Sequence, residues 1–159
     1  MKRIVLILAG FFLSFAVFAQ SADVITEVLE SEKATFGQVS YLAAVQKNLI
    51  NENDSYEKAV KVLFDNGIIP NLEDYRAPIP LVDIAYIYSS LWQIKGGLMY
   101  RLTKGAPRYA FRQFQADGIL NQNQEPSDFV SGAKALSIYT SCVNKYSDFD
   151  MKTVSMETE

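Results

Sequence analysis

Residues 59–69, AVKVLFDNGII, and residues 110–120, AFRQFQADGIL, decide how this chain is read. In each string an apolar helical pattern runs into Asn-Gly or Asp-Gly, followed by two large aliphatic residues. A glycine just past a helix can adopt the left-handed conformation that closes the last turn, and the isoleucine after it can fold back onto that turn. Placing Gly67 on Gly118 gives a period of 51 residues. After each string comes a loop and then a second apolar helix, from Ile79-Pro80-Leu81-Val82 and from Phe129-Val130-Ser131-Gly132. Phe36-Gly37-Gln38-Val39 reads as a third copy of that second helix, with a shorter first half before it. Such periods mean helical units that bury their faces on one another. With so few identities, chance similarity between two amphipathic helix pairs is the open alternative.

The remaining segments read as helices joined by Pro, Gly and Asn loops, without an alternating strand pattern. Residues 23–32 place Val24, Ile25, Val28 and Leu29 on one helical face. Thr35 with Gln38 forms a capping-box pair ahead of a helix from Phe36 to about Leu49, and Asp54 with Glu57 repeats that signature ahead of Ala59, Val60, Leu63 and Phe64. Three prolines keep residues 70–80 in a loop. Pro80 then suits the first turn of a helix to about Ile94, broken by Gly96-Gly97. That helix is apolar nearly all round. It is either central and buried, or it turns a second face carrying Tyr86 and Trp92 to a partner. Pro107 opens a helix that ends at Asp117-Gly118. A polar loop covers 120–128, a last helix about 130–145, and a polar, frayed tail starts at Ser147. The expected fold is all-α, a single compact domain over residues 20–146 with six or seven short helices and a degenerate helical repeat.

Residues 1–19, MKRIVLILAGFFLSFAVFA, read as an export signal. Lys2 and Arg3 precede an apolar run, and Val17-Phe18-Ala19 puts small residues at the −3 and −1 positions of a cleavage site. Cleavage after Ala19 leaves 140 of the 159 residues, one domain's worth, in the periplasm or cell envelope of a bacterium. No later apolar run is long enough to cross a membrane. Thirteen of the 15 cations then remain against 18 acids, a net of −5 that argues against nucleic acid as a partner. Histidine is absent, so Ser-His-Asp and Cys-His catalysis, histidine metal sites and imidazole switches are excluded. Cys142, the one cysteine, falls in a helical apolar pattern and reads as a small buried hydrophobe.

A helix ending in Gly-Ile, a loop and a second apolar helix, recurring behind an export signal, resembles the S-layer homology repeat. The resemblance covers residues 22–145. It implies a helical, exported protein held on a cell-wall polymer. The family's ligand motif, Thr-Arg-Ala-Glu, would fall on Pro80-Leu81-Val82-Asp83, on Gly37-Gln38-Val39-Ser40 and on Val130-Ser131-Gly132-Ala133. Only Asp83 keeps the character of its position and the motif's arginine is missing from all three copies, so the family's binding residues do not carry over. The insertion around 95–106 is a second departure.

Charge supplies the candidate site. No Asp or Glu occurs from Ile84 through Ala116, yet Lys95, Arg101, Lys104, Arg108 and Arg112 all lie there. Eight cations and 18 acids remain elsewhere in the exported chain, so a +5 segment sits in a −10 protein. Tyr100 and Tyr109 stand beside Arg101 and Arg108. Rings with guanidiniums suit sugars and carboxylates, and Gly96, Gly97 and Gly105 would let the backbone approach a ligand. The competing reading pairs these cations with the chain's own acids, while Leu98, Met99 and Leu102 plug the core. The carboxylates of Glu52, Asp54, Glu57, Glu73 and Asp74 read as caps and solvated charges; their spacing matches no divalent-metal loop.

These observations lead to the expectation of a non-catalytic envelope protein without cofactor or metal. It would bind peptidoglycan, an anionic glycan or lipid headgroup, or an envelope protein through Lys95, Tyr100, Arg101, Lys104, Arg108, Tyr109 and Arg112. One alternative is a structural subunit of an exported assembly, an oligomer in contact through helix 80–94. The other is a small wall-acting enzyme using a Glu or Asp, for which the sequence nominates no residue.

Overall fold

The computed structural model describes the backbone of residues 23–156 and the side chains of residues 23–147; the export signal read in residues 1–19 lies outside the described residues. Helix α1 covers residues 23–30. It is followed by α2 (Phe36–Gln46), α3 (Tyr56–Asp65), α4 (Leu81–Leu91), α5 (Leu98–Leu102), α6 (Pro107–Ala116) and α7 (Gly132–Met156). The protein is all-α. Among the described residues extended pairing is confined to two isolated bridges, Thr35 with Pro78 and Pro80 with Phe129.

The Gly-Ile turns recur bond for bond. Gly67 and Gly118 have φ of 68° and 75°. Ile68 and Ile69 donate their N–H groups to Leu63 O, as Ile119 and Leu120 donate theirs to Phe114 O. Glycine supplies the left-handed residue, and the orphan carbonyls at the end of α3 and of α6 are closed in the same way.

Helices α4 and α7, which follow these turns, form the centre together with α2. Helices α2, α4 and α7 pack on one another, α3 lies on α2, and α6 lies on α4. The end of α1 meets the start of α7, where Gly132 donates to Ser31 O at 3.0 Å. Helix starts leave unpaired N–H groups, and here the neighbouring loop accepts them. Phe36 and Gly37 donate to the carbonyls of Ala77 and Tyr75, and Leu81 and Val82 donate to those of Asp128 and Pro126. Just upstream, Ile79 donates to Ala34 O at 3.0 Å and Ala34 to Val130 O at 2.8 Å. The starts of all three central helices therefore converge on one backbone junction.

Local caps reinforce the junction. Thr35 and Gln38 form the expected reciprocal box, and Ser131 Oγ accepts from Lys134 N. Gln38 is buried, and its Oε1 takes both the Thr35 N–H and the Ser31 hydroxyl at 3.2 Å. Pro80 has no capping side chain, and the Asp128 and Pro126 carbonyls do that work for α4.

Several boundaries differ from the sequence reading. Helix α2 ends at Gln46 because Asn48 turns left-handed, φ 55°, and α4 ends at Leu91 because Gln93 does the same, φ 47°. Helix α3 is capped by Ser55, not by the Asp54–Glu57 pair; Asp54 instead accepts the Asn51 N–H and pairs with Lys58, each at 2.8 Å. Leu29 is exposed although Val28 is buried. Helix α7 continues to Met156, through the segment from Ser147 read as a tail. The largest departure is α5, a separate short turn with no buried residue; Leu98, Met99 and Leu102 do not plug the core.

Helix α4 is central, with Leu81, Ile84, Ala85, Ile87, Tyr88 and Leu91 all buried. Cys142 packs against this core as a free, buried thiol, and burial pushes its ionisation far up. One comparison tests the junction. A Cβ at Gly67 would meet nothing within 4 Å, whereas at Gly132 it would collide with the Val28 carbonyl and Ser31. Gly67→Ala is expected to cost about 1 kcal/mol in denaturant unfolding, for its left-handed backbone alone. Gly132→Ala is expected to cost about 3 kcal/mol, because helix α1 must move off α7.

Candidate functional site

Helices α5 and α6 carry the cationic segment. Pro107 opens α6 at its first turn, where its missing N–H is no loss. Arg108 and Arg112, four residues apart, share its exposed face, away from buried Ala110, Phe111 and Phe114. Arg101 lies on α5 and Lys104 just beyond it, both exposed, as is Lys95. Lys58 pairs with Asp54 and Lys61 with Asp65, both in or beside α3. Arg101, Lys104, Arg108 and Arg112 have no carboxylate partner among the described residues.

The aromatic half of the expected patch is arranged differently. Tyr100 turns inward and packs on the core. Its ring lies against Gly96, where a Cβ would sit 2.6 Å from ring carbon Cγ, and against Gly105, where a Cβ would sit 2.9 Å from the hydroxyl. These glycines make room for the protein's own tyrosine rather than for a ligand. Tyr109 is half-buried in the first turn of α6. The side chains turned outward on α5 are aliphatic: Leu98 is 73% exposed, Met99 54% and Leu102 69%.

A chain of polar contacts fixes this tip to the body. The Gly97 N–H donates to Gln113 Oε1 at 2.9 Å, and the Gln113 amide donates to Asp117 Oδ1 at 3.1 Å. The Tyr146 hydroxyl donates to Asp117 Oδ2 at 2.6 Å. Burial, with Asp117 as its acceptor, holds that phenol protonated far beyond the ordinary range. Thus α5 hangs from α6, and α6 is tied to α7.

Tyr86 and Trp92, expected as partner contacts, take separate places. Trp92 packs between Tyr88, Tyr139 and Tyr146, with ring centroids 5.7, 5.8 and 6.4 Å away, and is half-buried. Tyr86 lines a small cleft with Glu73, Asp83, Pro70 and Pro107. Burial, and then the nearby Glu73 carboxylate, hold the Asp83 carboxyl above its ordinary range. A raised carboxyl in a cleft is what an acid catalyst needs. At about 90 Å³, however, the space is well below the roughly 300 Å³ and more of a small-molecule site.

A second cleft is likewise absent from the sequence reading. Tyr41, Tyr56 and Tyr75 line about 270 Å³ with Glu27, Asp54 and Glu57. Tyr41 and Tyr56 meet edge to face at 5.6 Å, and Arg76 stacks 4.9 Å from the Tyr75 ring centre. Burial and the Glu27 carboxylate push the Tyr56 hydroxyl up to about 12. The Tyr41 hydroxyl is committed to Glu52 O at 2.7 Å and Asp54 to Lys58, so much of the polar lining is already engaged. Gly37 was the available signal. A Cβ there would stand 2.7 Å from Tyr75 O and 2.8 Å from the Tyr56 Cβ. Among the described residues no group of His, Cys, Asp or Glu side chains could hold a metal ion, and no helix is long and apolar enough to cross a membrane.

No known protein family, curated protein or solved structure matches this chain.

The Asp83 environment yields a signed pH dependence. The folded protein binds the Asp83 proton more tightly than the unfolded chain does. Its ionised form therefore weakens the fold above the folded value, and that loss vanishes below the ordinary value of 3.8. Asp83→Asn is expected to gain on the wild type in thermal midpoint as the pH rises from about 3 to about 7. A midpoint difference independent of pH would contradict the assigned environment.

Proposed function

We propose that this is an exported, non-catalytic protein of the bacterial cell envelope that binds an anionic envelope component through the basic face of α5 and α6. One observation carries the reading: Arg101, Lys104, Arg108 and Arg112 are exposed and unpaired among the described residues, in a stretch of 33 residues without an acid. Cations set apart in this way, on a chain otherwise rich in acid, form a field that attracts and orients an anionic surface.

The export signal read in residues 1–19 supports the location. The Gly-Ile turns and the three central helices support an architecture related to S-layer homology repeats, adapted to a different contact. Pro80-Leu81-Val82-Asp83, where that family's ligand motif would fall, forms the cap and first turn of α4 and is taken up by the junction and the small Asp83 cleft.

The test is co-sedimentation of the chain from Gln20 with a whole envelope fraction, sacculi and membranes together. It would be run at low salt and near 1 M salt, where the Debye length falls to about 3 Å. Binding is expected at low salt, with a loss of at least about tenfold at high salt or in the Arg101→Glu/Arg108→Glu variant. Equal binding by variant and wild type, or binding indifferent to salt, would overturn the proposal.

A further inference from the structure

The tip is chemically double, and the reading of it as a basic contact accounts for only half. Three large apolar side chains, Leu98, Met99 and Leu102, are more than half exposed on a five-residue helix. Proteins seldom leave such a cluster in water without use. Around it stand Arg101 on the same turn, Lys104 two residues past it, and Arg108 and Arg112 on α6, which α5 packs against.

The geometry points to the interface of an anionic lipid bilayer as the surface this tip engages, an inference that rests on the envelope-binding reading above. Leu98, Met99 and Leu102 would enter the boundary between headgroups and acyl chains, while Arg101, Lys104, Arg108 and Arg112 would lie on the phosphates. Three observations favour lipid over a hydrated glycan. Sugars are bound by exposed aromatic faces, and Tyr100, the ring that sequence placed in the patch, is turned inward against Gly96 and Gly105. What faces outward is aliphatic, which gains nothing from a hydrated polymer but does gain from the acyl boundary. The charge is complementary as well, since apolar residues beside Lys and Arg are the composition of segments that lie on anionic membranes.

The attachment also suits the role. Tyr100 packs the turn on the core and the Gly97–Gln113 hydrogen bond ties it to α6, so its side chains are presented without folding on contact. A preformed tip loses little conformational entropy on binding. Each exposed cation close to an anionic surface is worth about fivefold in partitioning. Four cations and three shallow apolar insertions together give reversible attachment.

The experiment uses the chain from Gln20, which keeps every described element, with vesicles of neutral phosphatidylcholine and vesicles in which about a third of the lipid is phosphatidylglycerol. The whole envelope fraction is run beside them. Two variants are compared with wild type: Leu98→Ser/Met99→Ser/Leu102→Ser, and Arg101→Glu/Arg108→Glu. Far-ultraviolet dichroism of each variant confirms that the helices are intact. Wild type is expected to partition onto the anionic vesicles and at least about tenfold less onto neutral ones. The serine variant is expected to lose at least about tenfold on anionic vesicles, with a residual binding that salt abolishes. Wild-type binding to the envelope fraction but not to anionic vesicles would overturn the lipid inference and leave the envelope reading standing, with a wall polymer or a protein as the partner. Unchanged vesicle binding by the serine variant would overturn the insertion of α5. Binding to neither vesicles nor envelope would overturn both.

Discussion

The start of a helix is a polar liability, because its first N–H groups have no carbonyl within the helix to bond. This protein must bury three such starts at one place. It does so by passing each set of donors to the carbonyls of a neighbouring segment. Phe36 and Gly37 use the loop before α4, Leu81 and Val82 use the loop before α7, and Gly132 returns to Ser31 at the end of α1. The donors of one unit are satisfied by the acceptors of the next, so no unit can complete its own helix start. The dependence explains why a chain with a single cysteine, and so no internal disulfide, can hold the seven helices of its described residues in one fold.

The same constraint separates body from tip. Everything that feeds the junction is short and internally committed: the capping box of Thr35 and Gln38, the prolines that lead into α4, and the Gly-Ile turns that bring the chain back. The segment between α4 and α6 contributes nothing to the junction, and among the described helices its α5 is the one without a buried residue. Freed from core duty, it holds its aliphatic and cationic side chains outward. The tyrosine that would have been its most adhesive group is used to fasten it. Rigid scaffold and exposed tip are thereby divided between different residues.

Legibility in the sequence follows the range of the physics. The Gly67 and Gly118 turns, the Thr35 box and the Pro107 start are local, set by residues within four positions of one another, and each stands as the sequence indicates. The cap of α3 slipped by one residue because Asp54 and Ser55 can both accept a hydrogen bond there; the Asn51 N–H and Lys58 drew Asp54 away. Helix α4 is shorter than its pattern because Gln93 adopts a left-handed backbone that no local rule demands of glutamine. At the site, the cations were legible because charge segregation is a property of composition. The inward turn of Tyr100 was not, since it depends on a notch made by two glycines nine residues apart. Nor was the exposure of Leu98, Met99 and Leu102. Apolarity says which residues gain from burial, and only the topology says which of them can reach the core.

The most direct test of this division is native-state amide exchange. The Ala34, Ile79, Leu81 and Gly132 amides donate across the junction, so they should exchange only through global unfolding and fall in the slowest class of the molecule. The amides of residues 98–106, on a tip outside the core, should exchange by local opening many times faster. Junction amides that exchange as quickly as those of the tip would show that the three helix starts do not hold the fold together, and the account would fail at its base.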